Sequence, residues 1–406
     1  MKRILPVILA FICLAGAVFF VGNGKKSPSE KPQKADASTK DSAESAEEMR
    51  GVWVTFMTLD VENEADPETA FKGKIDAIVS EMKADNLNTM VVHVRPFCDA
   101  LYPSRYYPWS HILTGAQGKN PGYDPLAYII EKAHAEDIAV HAWLNPYRIS
   151  TDSTPSELCD SHPYVRDTSL GVVVDGETYL NPASEDAINL IVDGAAEIAE
   201  NYDVDGIQFD DYFYPPYLDS SEDGDFDQKD YEAYASQTDS PLSLDDFRRN
   251  NVSRMVKAVY EAVHQAKPDI LFGISPQGNL DNNAALYADV ETWCAEEGYI
   301  DYICPQLYYS IDNPSLGYED GLNDWLKLKR HDQLKLYAGV PAYKAGTDAD
   351  EGTWLDNSDI LKTELEIARE KGADGFMLYS FDSLHSEEGK KEIENVMRYL
   401  STSPTQ

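Results

Sequence analysis

From Arg50 onward, short runs rich in β-branched and aromatic residues alternate with segments of helical periodicity. That alternation specifies parallel βα units, which pack as a sheet covered by helices. Eight runs read as strands: Gly51–Met57, Thr89–Arg95, Ala139–Asn145, Gly206–Asp210, Leu271–Ser275, Tyr302–Tyr308, Leu336–Pro341 and Gly375–Phe381. Helical patterns separate them, among them Pro67–Ala84, Pro125–Glu136, Ser184–Glu200, Leu244–Gln265 and Ser358–Glu370. Asp124-Pro125 and Asn357 to Asp359 place capping groups at helix starts, and Lys371-Gly372 is a stop signal. The predicted fold is α/β, a (β/α)8 TIM barrel.

Two stretches interrupt the repeat. Val172-Val173-Val174, Asp175-Gly176 and Thr178-Tyr179-Leu180 predict a hairpin inserted after the third strand. Pro215–Pro241 predicts a long polar loop after the fourth, and a long loop at that end of a barrel usually serves the site. Residues 1–24 carry Lys2, Arg3 and then an apolar run from Ile4 to Val21, which predicts a signal peptide or a retained N-terminal membrane anchor. Residues 25–48 lack aromatic and large aliphatic side chains until Glu48 and are expected to be a disordered tether. The barrel domain is assigned to 49–401, and export follows from the leader.

A net charge of −37 argues against nucleic acid or an anionic lipid surface as partner. Past the leader, Cys98, Cys159, Cys294 and Cys304 are far apart and lack paired spacing, so a zinc site is not expected, while one or two disulfides remain open. Asp219–Asp230 resembles a Ca2+ loop with Gly224 at the sixth position, but ends in Asp rather than Glu and lacks flanking helices. No cofactor or metal is expected. Ile274-Ser275-Pro276 does not fit a nucleophile elbow, which argues against a serine hydrolase.

Side-chain parity locates the chemistry. In Gly206-Ile207-Gln208-Phe209-Asp210-Asp211, apolar Ile207 and Phe209 should face the helices and Asp210 the barrel interior, with Asp211 turned away unless the strand end is irregular. His93 and Arg95, His141, Trp143 and Asn145, Ser275 and Gln277, and Gln306 and Tyr308 share that inward parity. Polar residues drifting toward strand C-termini indicate a lined cavity, or else a hydrogen-bonded core layer. Tyr147, Tyr212, Tyr343 and Tyr379 crowd the same ends. Rings with an apolar face and polar edge suit sugars.

Glycoside cleavage needs two carboxyl groups, one to protonate the leaving oxygen. Asp210 is the first candidate. Asp211, Asp382 and Asp99 remain candidates for the second, each equally suited to a cap or ion pair. Arg95 and Arg148 could pair with them or hold a substrate carboxylate. A polysaccharide is the expected partner. A carbohydrate-binding barrel without catalysis is the competing reading, and an esterase or deacetylase a third.

The motifs Arg50-Gly51-Val52-Trp53-Val54, His93-Val94-Arg95-Pro96, Ala142-Trp143-Leu144-Asn145-Pro146-Tyr147-Arg148, Asp205-Gly206-Ile207-Gln208-Phe209-Asp210-Asp211-Tyr212 and Pro305-Gln306-Leu307-Tyr308 resemble the glycosyl hydrolase-like family 10 of exported bacterial proteins. The resemblance spans about Arg50 to Leu400. It implies a TIM-barrel hydrolase of β-linked glycans, acting on a cell-wall polysaccharide such as peptidoglycan strands, with Asp210 catalytic. More distantly the fourth strand is similar to the chitinase-type DGxDxDxE pattern, but Gln208 replaces the middle Asp and Tyr212 the catalytic Glu.

Overall fold

The structure is a computed structural model that describes residues 48–151, 154–215 and 226–402. The leader and tether, and most of the 219–230 loop, lie outside the described residues. Among the described residues the strands are β1 (Met49–Val54), β2 (Thr89–Arg95), β3 (Ala139–Leu144), β4 (Arg148–Ser150), β5 (Gly171–Val174), β6 (Glu177–Leu180), β7 (Gly206–Phe209), β8 (Leu271–Ile274), β9 (Tyr302–Ile303), β10 (Lys335–Val340) and β11 (Gly375–Leu378). Eight of them close a parallel barrel in the order β1-β11-β10-β9-β8-β7-β3-β2. The predicted (β/α)8 fold is therefore the observed one.

Helices start where the sequence supplies caps. Asp66, Asp124, Ser184 and Ser243 each accept a backbone N–H from the first turn of helices Pro67–Ala84, Pro125–His134, Glu185–Asn201 and Leu244–Ala266. These satisfy donors that a helix N-terminus leaves orphaned. Outward-facing Val52, Val92, Ile207, Phe209, Ile274 and Leu378 are fully buried under the helical layer.

The inside of the barrel is aromatic rather than aliphatic. Trp53, Val91, Trp143, Tyr302, Cys304, Tyr337 and Met377 form one buried cluster there. Such rings fit because small residues stand opposite them: a Cβ on Gly273 would lie 2.2 Å from the Tyr302 ring, and one on Gly206 2.6 Å from His141. The polar inward set thus divides. His141 and Gln208 belong to a hydrogen-bonded core layer, His141 Nδ1 lying 3.0 Å from the Tyr302 hydroxyl and Trp53 Nε1 donating to Gln208 Oε1 at 2.6 Å. Residues nearer the strand ends line a cavity.

The inserted hairpin is present, β5 pairing with β6 around Asp175 and Gly176, both at positive φ. β4 extends it to a three-stranded sheet in the order β4-β6-β5. That third strand is too short for a periodic pattern to reveal it. The expected strand Tyr302–Tyr308 is reduced to Tyr302–Ile303 plus bridges at Gln306, because Pro305 cannot donate to the ladder. All four cysteines of the described residues are free thiols.

Candidate active site

β7 ends at Phe209, whose carbonyl accepts from Ser275 N at 2.8 Å, and the chain then bends. Asp210 keeps the inward direction. It is 4% exposed, and its Oδ2 accepts from Trp143 Nε1 at 2.9 Å and Asn145 Nδ2 at 3.1 Å. Asp211 corrects the parity expectation. Lying past the strand, it turns to the same cavity, its Oδ1 accepting from Gln306 Nε2 at 2.9 Å and its Oδ2 from Gln277 Nε2. The two neighbouring carboxylates therefore form a pair after all, because alternation stops where the ladder does.

Their cavity, about 360 Å3, is also lined by Trp53, Trp143, Tyr212, Ser275, Gln277, Gln306, Tyr308, Tyr343 and Tyr379. Three of these make a continuous wall: Tyr308, Tyr343 and Tyr379 have ring centroids 5.7–6.0 Å apart in every pairing. Burial, reinforced by the negative charge of Asp211, pushes the Asp210 carboxyl from 3.8 up to about 7. Arg148 and the Trp143 indole pull it the other way. Burial also raises Asp211, against the two glutamine amides that favour its ionised form.

Other predicted residues stand around the cavity rather than in it. Arg95 is fully buried and donates to the carbonyls of Asn145 and Pro146 at 2.7 and 3.2 Å. It fixes the turn that presents Asn145, and so is a positioning residue, not a sugar contact. His93 lies beneath, stacked on Trp143 at 3.8 Å, and burial keeps it neutral. Tyr147 is fully buried in the outer core. Asn145 itself is buried between Asp210 and the backbone N–H of Arg148, which it accepts at 2.9 Å. Arg148 is buried behind the cavity lining, its Nε donating to the Pro96 carbonyl at 3.2 Å and its guanidinium 4.8 Å from the Tyr212 ring centroid and 4.9 Å from that of Phe97.

The alternative carboxylates have other work. Asp382 is exposed and accepts from Thr58 Oγ1 at 2.8 Å, outside the cavity lining. Asp99 is buried and accepts from Phe97 N and Gln117 Nε2. In the 219–230 loop, Asp227 is bound by Arg248 at 2.6 Å and Asp230 by Asn181 at 2.9 Å, so the two described oxygen positions already have partners. Ser275 lines the cavity, as its inward parity indicates, and Trp53 lines it too, a ring that sequence reasoning did not place there although it shares the inward parity of Gly51. A larger cavity, about 590 Å3, shares no residue with this one; there Glu197 is held by Ser104 and Arg105, and Asp124 by Tyr202.

The motif residues before the pair are structural. Asp205 Oδ2 accepts from Val140 N at 2.8 Å and lies 2.9 Å from His134 Nε2, joining β3 to the start of β7. Gln208, at the position of the middle Asp in the chitinase-type pattern, serves Trp53 instead.

A model of the glycosyl hydrolase-like 10 family matches residues 48–356. The chain belongs to the glycosyl hydrolase-like 10 family. Among relatives of this glycosyl hydrolase-like 10 chain, glycosyl hydrolase YngK of Bacillus subtilis is 34% identical over 368 residues, covering 84% of this chain and 70% of that protein. Glycosyl hydrolase DigH of Escherichia coli K12 is 30% identical over 382 residues, covering 84% and 85%. In three dimensions the glycosyl hydrolase-like 10 barrel is similar to the glycoside hydrolase domain of PgaB (BpsB) from Bordetella bronchiseptica, with a TM-score of 0.56 at 14% identity, over 88% of this chain and 99% of that one. It also matches α-L-fucosidase isoenzyme 2 of Paenibacillus thiaminolyticus, with a TM-score of 0.53 at 14% identity, over 86% and 49%. At that identity the likeness is one of fold. By its family the protein is a glycoside hydrolase.

Proposed function

We propose that this glycoside hydrolase cuts a cell-wall polysaccharide, the glycan strands of peptidoglycan, outside the cytoplasm, with Asp210 and Asp211 as its catalytic carboxyl groups. The observation that carries the reading is the unequal setting of two carboxylates facing one aromatic-walled cavity. Asp210, pushed up to about 7, holds a proton near neutral pH. Its Oδ2 takes the two side-chain donors, Trp143 at 2.9 Å and Asn145 at 3.1 Å, and its Oδ1 only the longer bond from Tyr212 N at 3.4 Å, so Oδ1 is the oxygen assigned the proton. Asp211 offers both oxygens to amide donors, the arrangement of an ionised carboxylate.

Asp210 gives its proton to the glycosidic oxygen as the C1–O bond breaks, and Asp211 stabilises the positive charge that develops at C1. Water adds to C1, and its proton returns to the carboxyl pair. One glycosidic bond and one water thus become a new reducing end and a free hydroxyl. The wall of Tyr308, Tyr343 and Tyr379 supplies apolar faces for sugar rings. Arg148 places a positive charge behind the Tyr212 ring, and that charge favours a strand whose peptide has been stripped to a free carboxylate. Export is supported by Lys2, Arg3 and the apolar run from Ile4 to Val21.

Incubating the protein with peptide-free and peptide-bearing glycan strands and measuring new reducing ends tests the reading. Release from peptide-free strands is expected, faster than from peptide-bearing ones. No release from either, with activity on another glycan, would overturn the substrate assignment.

A further inference from the structure

A second cavity, also about 360 Å3, adjoins the first and shares Asp211, Tyr212 and Gln277 with it. Its remaining lining is Tyr179, Phe213, Tyr214, Asn282, Ala285 and Leu286. We propose that it is a glycan subsite on the far side of the scissile bond, so that the enzyme holds a polymer across both cavities and cuts within the chain. The inference rests on the polysaccharide reading above.

The shared residues place the junction of the two cavities at the catalytic pair, which is where a bond spanning both would lie. Among the described residues Asp211 is the only charged group lining the second cavity; the rest are rings, aliphatics and the amides of Gln277 and Asn282. That combination suits a neutral sugar residue, its faces against rings and its hydroxyls on amides. Tyr212 stands between the cavities, 42% exposed, with the Arg148 guanidinium against its ring. A ring backed in this way is a platform held ready for stacking. Two of the pieces that build the second cavity are additions to the barrel: Tyr179 comes from β6 of the inserted sheet, and Ala285 from the helix Leu280–Ala285 after β8. Closing a barrel needs neither, so a polymer-binding role accounts for both.

Ala285→Trp, at an exposed position, fills the second cavity from outside the core. With the full-length protein and peptide-free glycan strands, early products of the wild type should be fragments of many lengths. Ala285→Trp should release reducing ends at least tenfold more slowly with an unchanged melting temperature. Asn282→Ala, a smaller change, should raise KM severalfold, and it decides the matter if Ala285→Trp melts early. Terminal units as the sole early product of the wild type, or full activity in the folded variants, would overturn the subsite. If the wild type spares peptidoglycan strands, the cell-wall assignment fails, and the same readouts on the β-linked polysaccharide it does cut decide the subsite separately.

Discussion

Trp143 donates its indole N–H to Oδ2 of Asp210 across 2.9 Å. Because the same indole is stacked on buried His93 at 3.8 Å, the donor has little freedom, and the carboxyl it holds is fixed inside the barrel mouth. The cost of that placement is electrostatic. An acid whose folded pKa is above its unfolded one binds more protons when folded, so ionisation destabilises the fold as pH rises. For Asp210 the window runs from about 3.8 to about 7.

Asp210→Asn should therefore stabilise the protein above pH 7 and have little effect at pH 4. At about 1.4 kcal/mol per tenfold change in proton affinity the gain has an upper bound of ~4 kcal/mol. Denaturant unfolding at pH 4 and pH 8 measures it, and an equal effect at both values would refute the buried-proton account.

The proton on Asp210 depends partly on its neighbour. Removing the negative charge of Asp211 in Asp211→Asn should lower the Asp210 pKa below about 7, since a like charge disfavours ionisation. Carboxyl NMR titration reads this directly. In the wild type, activity that requires protonated Asp210 should fall as pH rises through about 7.

Arg148 opposes both carboxylates and backs Tyr212. Arg148→Ala should move the alkaline limb of the activity profile to higher pH and raise KM for strands bearing free carboxylates. Loss of the stacking contact is worth about 0.5–2 kcal/mol. Arg148→Lys should restore the charge effect more fully than the KM, because an ammonium does not stack as a guanidinium does. Steady-state kinetics across pH for both variants separates the two contributions.

The aromatic interior depends on its glycines. Gly273→Ala puts a methyl into the Tyr302 ring and should destabilise by about 1–3 kcal/mol or more. Gly73→Ala, in helix Pro67–Ala84 with no atom within 4 Å of the new Cβ, should instead stabilise by up to about 1 kcal/mol. Melting temperatures of the pair check both signs.

Much of the fold was legible because periodicity and burial agree. Ile207 and Phe209 face the helices, Asp210 faces inward, and Asp175-Gly176 turns the hairpin as its composition indicates. The failures occur where local rules stop. Parity put Asp211 outside because it assumes a continuing ladder, whereas the chain bends after Phe209. It put Arg95 and His93 in the cavity because inward parity does not say how far along the barrel axis a side chain sits; both lie buried below the mouth. Tyr147 was placed by proximity to a strand end, yet its ring belongs to the outer core. β4, three residues long, pairs through its partner β6 and had no pattern of its own to show.

The measurement that tests the central claim most directly is release of reducing ends from a cleavable glycan by the wild type, Asp210→Asn, Asp211→Asn and Asp382→Asn, compared at matched folding. Loss of about 10²–10⁴-fold in the first two variants, with near wild-type activity in Asp382→Asn, is the predicted result. Full activity in Asp210→Asn, or a loss confined to Asp382→Asn, would contradict it.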